Sequence, residues 1–506
     1  MGPTVVSQSH WVGAYALVAA ETTVSAILTA NFFPVPFVNY FAVTMQLKQN
    51  LLCMETNETS PGLPRRDFIK KTATAAAVVA GTSWLRTPVY GQNQAPSANV
   101  TGANNRIAVA VVGLGVGIGQ NHLNGIHENA AANNIAIAAV CDVYKQRREL
   151  GLKKNLKDSD LYVDHRKLLE RKDIDAVVIA THDPWHAQIT IDSLQAGKHV
   201  YCEKPLTRYL DEAFKVYDTV KSTGKVFQVG SQGCSAGGYH KCAEMIKAGK
   251  LGILVWAQAW YSRNSIAGEW NYQFEHDATA ENIDWERWLG GVKKRKPFSQ
   301  EDFHRWRKYY EYCAGPLGDL APHRLHPLML ATGNPEFPVR VCSIGTRNVH
   351  ADLPNAPERE VPEHAQLLAE FPSGFVIMVT CCTVNGSTPG LSLYGHKANL
   401  NIDATASRVE LLPQREFGDE IDPETVKDLQ PEDIRVHEKN WFECIRSGKT
   451  PNADIELAIR VQTVISLAEM SNRLKTTCLF DEKTRKISDA SGKEIPPITY
   501  GTLPLS

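Results

Sequence analysis

Residues Arg106–His122 read RIAVAVVGLGVGIGQNH. A run of β-branched and small apolar residues, Ile107 to Val112, leads directly into alternating glycines at Gly113, Gly115, Gly117 and Gly119. An uninterrupted apolar run of this length fits a first strand buried on both faces of a parallel sheet. Glycines after such a strand accept positive φ and carry no Cβ, so a pyrophosphate can approach the backbone. The helix expected next turns its N-terminal N–H groups toward the same place, which favours an anion. This stretch therefore predicts a nucleotide site at the head of an α/β domain.

The following residues keep that pattern. Helix is expected over 120–132 and strand over 135–140, ending in Cys141-Asp142. A helix closes at Lys167–Arg171. Strands are expected at 175–180, 199–201 and 226–229, with helices at 187–196 and 211–223 between them. Short apolar strands alternating with helices imply a doubly wound parallel sheet. After residue 230 the pattern changes. A helix over 239–248 and a strand over 253–261 precede a long loop-rich stretch, 262–312, full of aromatic and basic residues. Strand candidates then follow without helices between them, at 339–346, 366–371, 375–383, 391–394, 399–403 and 408–412, with Ser373-Gly374 turning one hairpin. Helices at 436–447 and 453–474 close the pattern. The expected architecture is an α/β chain: an N-terminal Rossmann domain over 105–230, then an α+β domain with a mainly antiparallel sheet over 231–481, and a tail over 482–506.

The chain has 506 residues, enough for two domains and extensions. Its 43% hydrophobic and 22% charged content is ordinary for a globular enzyme, and a formal net charge of −1 gives no sign of a nucleic-acid partner. Eleven cysteines without CxxC spacing, two of them adjacent at Cys381 and Cys382, argue against a disulfide framework. Residues 1–53 are apolar and aromatic from Trp11 to Met45. Asn31, Pro34, Pro36 and Asn39 interrupt the run, so a misassigned start, with Met54 as the true initiator, is preferred over a membrane span. Pro64-Arg65-Arg66-Asp67-Phe68-Ile69-Lys70 resembles a twin-arginine export signal. The apolar segment 72–85 and Val89-Tyr90-Gly91 complete a signal peptide over 54–91. A polar linker over 92–104 follows. The expected location is the periplasm, reached through the twin-arginine machinery after folding in the cytoplasm.

Between Arg106 and about Asp481 the chain resembles the glucose–fructose oxidoreductase/inositol dehydrogenase (Gfo/Idh/MocA) family. The resemblance rests on VVGLG at 111–115, ATHDPWHA at 180–187, CEKPL at 202–206, Asp319-Leu-Ala-Pro-His323, and the helix pair around Asn440–Gly448 and Pro451–Asp454. It implies hydride transfer between NAD or NADP and a sugar or polyol. It also implies catalytic roles for Lys204, His323 and Asp319. Lys204, at the carboxyl end of a strand, would hydrogen-bond the reacting carbinol, and burial could bring its pKa within reach of proton exchange. His323 would take or return the hydroxyl proton. Asp319, four residues before it and on the same face if the segment is helical, would orient the histidine or bind a neighbouring hydroxyl; read without the family, Asp319 is more readily an N-cap, with Pro322 in the first turn.

Expected cofactor contacts are Gly113, Gly115, Gly117, Gly119, Asp142, Thr181, His186, Glu203 and Lys204. Asp142 lies 29 residues past Gly113, somewhat further than the usual acid that accepts the ribose hydroxyls of NAD; its place just past an apolar strand points to that role, although a solvent-facing strand-end aspartate would look the same. Arg147 and Arg148 close behind keep NADP open. His186 either faces the nicotinamide or is a loop histidine packed on Trp185. Arg305, Arg307 and Tyr309 are candidates for sugar contact, and an interface or core role suits them equally.

Three departures from the family pattern matter. Counted from Gly113, the third glycine position holds Ile118, and one extra loop residue restores Gly119 to that role. The acid often found three residues after the catalytic histidine is His326 here. Asp319, His323 and His326 could instead ligate a metal, but Pro327 would kink that helix and no further ligand is evident, so no metal is expected. A cofactor exported with the folded chain is expected to stay tightly bound. A redox-assisted glycoside-cleaving enzyme and a non-catalytic sugar or nucleotide sensor are the alternatives. A homo-oligomer is expected through the exposed face of the second sheet.

Overall fold

Two sheets carry the architecture, and the first grows directly from the opening stretch. In a computed structural model, which describes residues 105–293, 295–350 and 358–501, six parallel strands stand in the order β3-β2-β1-β4-β5-β6. They are β1 Ile107–Val112, β2 Ile135–Cys141, β3 Leu161–Tyr162, β4 Ala176–Ile179, β5 His199–Glu203 and β6 Phe227–Gly230. Strand β1 is central and, Ala108 apart, buried along its length. The chain leaves it on one side for β2 and β3, then crosses to the other side for β4. The ends of β1 and β4 therefore border the crevice that forms where strand order reverses. The signal peptide, linker and start assignments for residues 1–104 lie outside the described residues.

Helices cover the sheet: α1 Ile118–Glu128, α2 His186–Gln195 and α3 Leu210–Thr223, with α4 Gly237–Lys247 leading out of the domain. Ten strands form the second sheet, in the order β14-β13-β12-β11-β7-β10-β9-β8-β15-β16. They are β7 Leu254–Ser262, β8 Arg340–Thr346, β9 His364–Glu370, β10 Val376–Cys382, β11 Leu391–Gly395, β12 Ala398–Ile402, β13 Val409–Pro413, β14 Glu424–Val426, β15 Cys478–Asp481 and β16 Lys486–Asp489. Every pairing is antiparallel except β7 with β10. The hairpin expected at Ser373-Gly374 joins β9 to β10, with Gly374 at φ +81°. Strand β16 lies beyond residue 481, so the second sheet continues into the segment read as a tail.

Helices α5 Pro322–Ala331 and α7 Ile455–Leu474 join the two sheets in one core, and α6 Ile434–Ser447 packs in a second one against the first sheet. Helix α7 is capped by Asp454, whose carboxylate accepts the Leu457 N–H at 3.0 Å, and is buried from Ile455 to Ser471 with few exceptions. Helix α6 returns to the first domain, where Trp441, Phe442 and Ile445 pack with Ile107, Val109 and Val111 of β1.

The stretch 262–312, read as loop-rich, contains short helices at Trp285–Leu289 and Gln300–Arg305. It forms an apolar cluster of its own around Trp285, Trp288, Leu289 and Phe303. It is also tied to the first domain. Tyr144 pairs with Ile283 as an isolated bridge, the Lys145 N–H donates to the Asn282 carbonyl at 3.0 Å, and the Asp284 N–H donates to that of Val143 at 3.1 Å. The segment is thus a strap lying against the end of β2.

Candidate functional site

Under the strap a cleft of about 640 Å³ opens at the ends of β1, β2 and β4. Gly113, Gly115 and Gly117 form one wall, and Asp142, Arg147, Thr181 and His182 continue it. The glycines have separable reasons to be glycine. Gly113 has φ +88°, and a Cβ there would lie 2.6 Å from the backbone of Ala180 and Thr181. A Cβ on Gly119 would lie 2.4 Å from the Gly113 carbonyl oxygen, so Gly119 lets α1 pack against the loop and does not line the cleft. At Gly115 a Cβ would meet only the Arg147 guanidinium at 3.7 Å, and Gly117 is open, at φ +100°. The irregular spacing is thus absorbed by a loop in which Gly113 and Gly119 are fixed by packing and Gly115 and Gly117 face the ligand space. Helix α1 starts at Ile118 with its first turn toward this space.

Asp142 ends β2 as expected. Its Oδ2 accepts the Leu114 N–H at 2.6 Å and its Oδ1 the Tyr144 N–H at 2.8 Å, which ties the strand end to the glycine loop. Thr181 Oγ1 and His182 Nε2 are buried in the cleft wall without protein partners. A bare glycine cradle, an acid at the ribose position and two orphaned polar atoms fit a dinucleotide. Residues Gly113–Gly117, Asp142 and Thr181 would hold it.

Lys204, Asp319 and His323 come together near this cleft. Lys204 directly follows β5, and its Nζ donates to the Asp319 carbonyl oxygen at 2.6 Å and to Oδ1 at 2.9 Å. Arg307 Nε donates to the same Oδ1 at 3.1 Å, and Trp270 Nε1 to Oδ2 at 3.2 Å. Burial works against the Asp319 charge, but Lys204 and Arg307 hold its carboxyl well below the usual carboxylate range. His323 is stacked on Tyr261 at 5.0 Å. Burial and the nearby Lys204 ammonium push it well below the usual histidine value, so it is a neutral imidazole in ordinary buffers.

The expected Asp319–His323 relationship is corrected in two respects. A short helix, Pro316–Asp319, ends at the aspartate, and α5 begins again at Pro322, so the two residues do not share one helix. Asp319 is no N-cap, because Gly315 holds that position for the short helix and Ala321 for α5. Its carboxylate orients Lys204 and Arg307 rather than the histidine.

Other candidates fall elsewhere. His186 is buried away from the cleft, with Nδ1 2.7 Å from the Pro205 carbonyl and Nε2 3.1 Å from that of Thr181, so it braces two loops. The histidine that lines the cleft is its neighbour His182, stacked on Trp288 at 4.2 Å. Trp185 packs on His165, not on His186. Glu203 also points away, toward His122 Nε2 at 2.9 Å. Arg305 donates to the Tyr272 carbonyl and pairs with Glu301, and Tyr309 also binds Glu301, so both hold the strap together. Of the three sugar-contact candidates, Arg307 alone lines the cleft. Asp319, His323 and His326 do not form a metal set, and no such cluster occurs among the described residues. Sequence reasoning missed His182, Trp270 and the strap residues Tyr272 and Glu275. The paired histidines of THDPWH carried a signal for the first; the others depend on how the strap folds back.

Residues 107–231 match the model of the oxidoreductase family with an NAD-binding Rossmann fold, and residues 292–401 match the Gfo/Idh/MocA C-terminal domain. The inositol 2-dehydrogenase of Rubrobacter xylanophilus is 32% identical over 194 residues, covering 37% of this chain and 53% of that protein. Glycosyl hydrolase family 109 protein 1 of Shewanella sp. (strain ANA-3) is 29% identical over 182 residues, covering 32% of this chain and 38% of that protein. The chain therefore spans about half or less of the length of these relatives. A levoglucosan dehydrogenase solved with NADH and levoglucosan shares the fold, with a TM-score of 0.58 and 18% identity over 74% of this chain and 98% of that one. The nucleotide-binding segment and the sheet-bearing segment thus each match the Gfo/Idh/MocA oxidoreductase family.

Proposed function

We propose that the protein is an NAD-dependent oxidoreductase that moves a hydride between a tightly held nicotinamide cofactor and a carbinol carbon of a sugar, polyol or derivative. The observation that carries this reading is the Lys204–Asp319 pair, with His323 close by, next to a glycine-walled cleft. When bound, a nicotinamide supplies the hydride acceptor. The protein's part is to hold and deprotonate the alcohol. Lys204, fixed through two of its N–H bonds by Asp319, directs the third at the carbinol oxygen and stabilises the charge that develops there. Neutral His323 takes the hydroxyl proton as the C–H bond breaks, and returns it in the reverse direction. Arg307, held by the same carboxylate, is left to bind a neighbouring hydroxyl. The strap over the cleft supports retention of the cofactor.

A twin-arginine signal at 64–70 would export the folded, loaded chain, and turnover would then need one substrate to reduce and another to oxidise the same bound nucleotide. A second copy is proposed to pair on the outer face of the second sheet, where Ile344 is 73% and Leu368 45% exposed. Light scattering of the purified chain checks that pairing, and a monomer at micromolar concentration contradicts it.

The name of the Shewanella relative, a glycosyl hydrolase, favours one other reading on the same residues: transient oxidation of a glycoside carbon, elimination of the aglycone, and return of the hydride with no net redox change. Two assays decide. Protein denatured after extensive dialysis is expected to release nicotinamide nucleotide. Sugars and polyols are expected to change the absorbance of the bound cofactor without releasing aglycone from aryl glycosides. Absence of nucleotide binding in any buffer contradicts both readings, and aglycone release without net redox selects the second.

A further inference from the structure

Glu275 lies on the strap, outside both the glycine loop and the strand ends from which a Rossmann domain ordinarily reads its nucleotide. It nevertheless lines the cleft beside Asp142 and Arg147. Its Oε2 accepts the Arg147 NH2 at 2.5 Å, and His304 Nε2 lies 3.3 Å from the same oxygen. Arg147 is clamped at this place. Its guanidinium stands 4.8 Å over the Phe303 ring of the strap and 5.4 Å from that of Tyr144, and NH1 sits 3.7 Å from the point where Gly115 would carry a Cβ. Arg147 Nε is buried without a partner.

The guanidinium thus stands over the glycine loop at the Asp142 end of the cleft, where an adenosine ribose would lie. The other cations there are already committed. Arg148 NH1 donates to the Asp142 carbonyl at 2.8 Å, and Arg287 is paired with Asp284 and Asp164. A 2′-phosphate on that ribose would meet two carboxylates, Asp142 and Glu275, and no uncommitted arginine fork. A 2′-hydroxyl instead finds an acceptor in Asp142.

On the reading that the cleft holds a nicotinamide dinucleotide, we infer that Glu275 is a specificity-determining residue: from the second domain's strap it withdraws Arg147 from a 2′-phosphate and so makes the protein select NAD over NADP. Selectivity here is a difference between two affinities, set by repulsion of the wrong ligand as much as by attraction of the right one. An arginine fork freed of its carboxylate is well suited to a phosphate.

The test compares the full chain with Glu275→Gln, which keeps the side chain's shape and removes its charge. NADH and NADPH are titrated separately and read by quenching of tryptophan fluorescence, since Trp185, Trp288 and Trp306 line the cleft. Nucleotide released on denaturation is identified in parallel. The parent is expected to bind NADH at least about tenfold more tightly than NADPH. Glu275→Gln should tighten NADPH about tenfold while moving NADH by less than about threefold. Adding Arg147→Gln to that variant should remove the gain, because the gain comes from the freed guanidinium. An unchanged NADPH affinity, or equal changes for both nucleotides as a loosened strap would give, overturns the inference. If the parent binds NADH and selectivity does not move, the inference alone falls; if the parent binds neither nucleotide, the proposed function falls with it.

Discussion

Lys204 is fixed by one carboxylate and one carbonyl of the same residue, so its position and its charge can be separated by substitution. Lys204→Met keeps the stem and removes the ammonium, while Asp319 retains Arg307 and Trp270 as partners. The variant is expected to fold and to bind nucleotide, with kcat lower by about 10²- to 10⁴-fold. Parent-like turnover on every substrate the parent uses would remove Lys204 from the chemistry. His323 makes a separate claim about pH. Its pKa is pushed well below the usual value by burial and by Lys204, so the basic form persists through the range where a free histidine becomes protonated. The pH profile of kcat/KM should therefore stay level on descending through about 6.5, the ordinary histidine value, and fall only well below it. An inflection near that value which disappears in His323→Asn would contradict the burial argument. Lys204, Asp319 and His323 were legible in the sequence because each sits in a short motif at a fixed spacing. Arg305, Arg307 and Tyr309 were not separable, since an arginine- and tyrosine-rich segment can turn any one of them into its own packing. Only the folded strap distinguishes Arg307 on Asp319 from Arg305 on Tyr272.

The glycine loop shows how one element divides its work. Gly115→Ala places a methyl group in open cleft at a backbone conformation alanine accepts. It should leave thermal stability nearly unchanged and weaken nucleotide binding by about tenfold or more. Gly113→Ala forces a methyl into the Ala180–Thr181 backbone at a positive φ, and Gly119→Ala forces one onto the Gly113 carbonyl. Both should destabilise by about 3 kcal/mol or more, with binding lost as a consequence. Calorimetry beside nucleotide titration separates the classes, and equal losses of stability at Gly115 and Gly119 would defeat the division. Strands β1 and β4 could be read from sequence because burial on both faces writes a continuous apolar run, and β2, β5 and β6 because short apolar stretches recur between helices. Strand β3, two residues long, is too short to write any pattern. Strands β14 and β16 are short polar edge pieces, each a strand only because it pairs with the strand just before it in the chain, and their residues write no apolar pattern of their own. The strap was missed for a different reason. Its order comes from Trp288, Phe303 and Tyr144 meeting across the domain boundary, and no local period encodes that.

At the scale of the whole molecule, the change from a parallel to a mainly antiparallel sheet was readable from the change of pattern after residue 230, but the way the C-terminal helices return to the first sheet was not. Helix α6 comes back through one buried charged knot. His122 of α1 lies 2.9 Å from Glu203 Oε1 and 2.6 Å from Glu438 Oε1, and Arg435 donates to both oxygens of Glu438. Burial alone would lower the His122 pKa, but hydrogen bonds and charge from the two glutamates outweigh it and raise it to about 9. The ring is then an imidazolium joining the glycine-loop helix, the strand that carries Lys204, and α6. A histidine whose folded pKa lies above its unfolded value contributes stability that is complete below about 6.5 and disappears as pH rises through about 9. The shift corresponds to about 3 kcal/mol. On the acid side the sign reverses. His182, His326 and His437, held by burial at about 3, 4 and 4, stay neutral while the unfolded chain takes up protons below about 6.5, so stability declines there too. Melting temperature should therefore peak near neutral pH. His122→Gln should be less stable than the parent by a margin that is widest at and below about pH 6.5 and narrows as pH rises through 9. Some alkaline decline should survive the substitution, because His186 is also raised, to about 10. The acid decline should be untouched, since its histidines lie elsewhere. A margin constant from pH 6 to pH 10 would mean that His122 holds the two domains together by shape and not by charge.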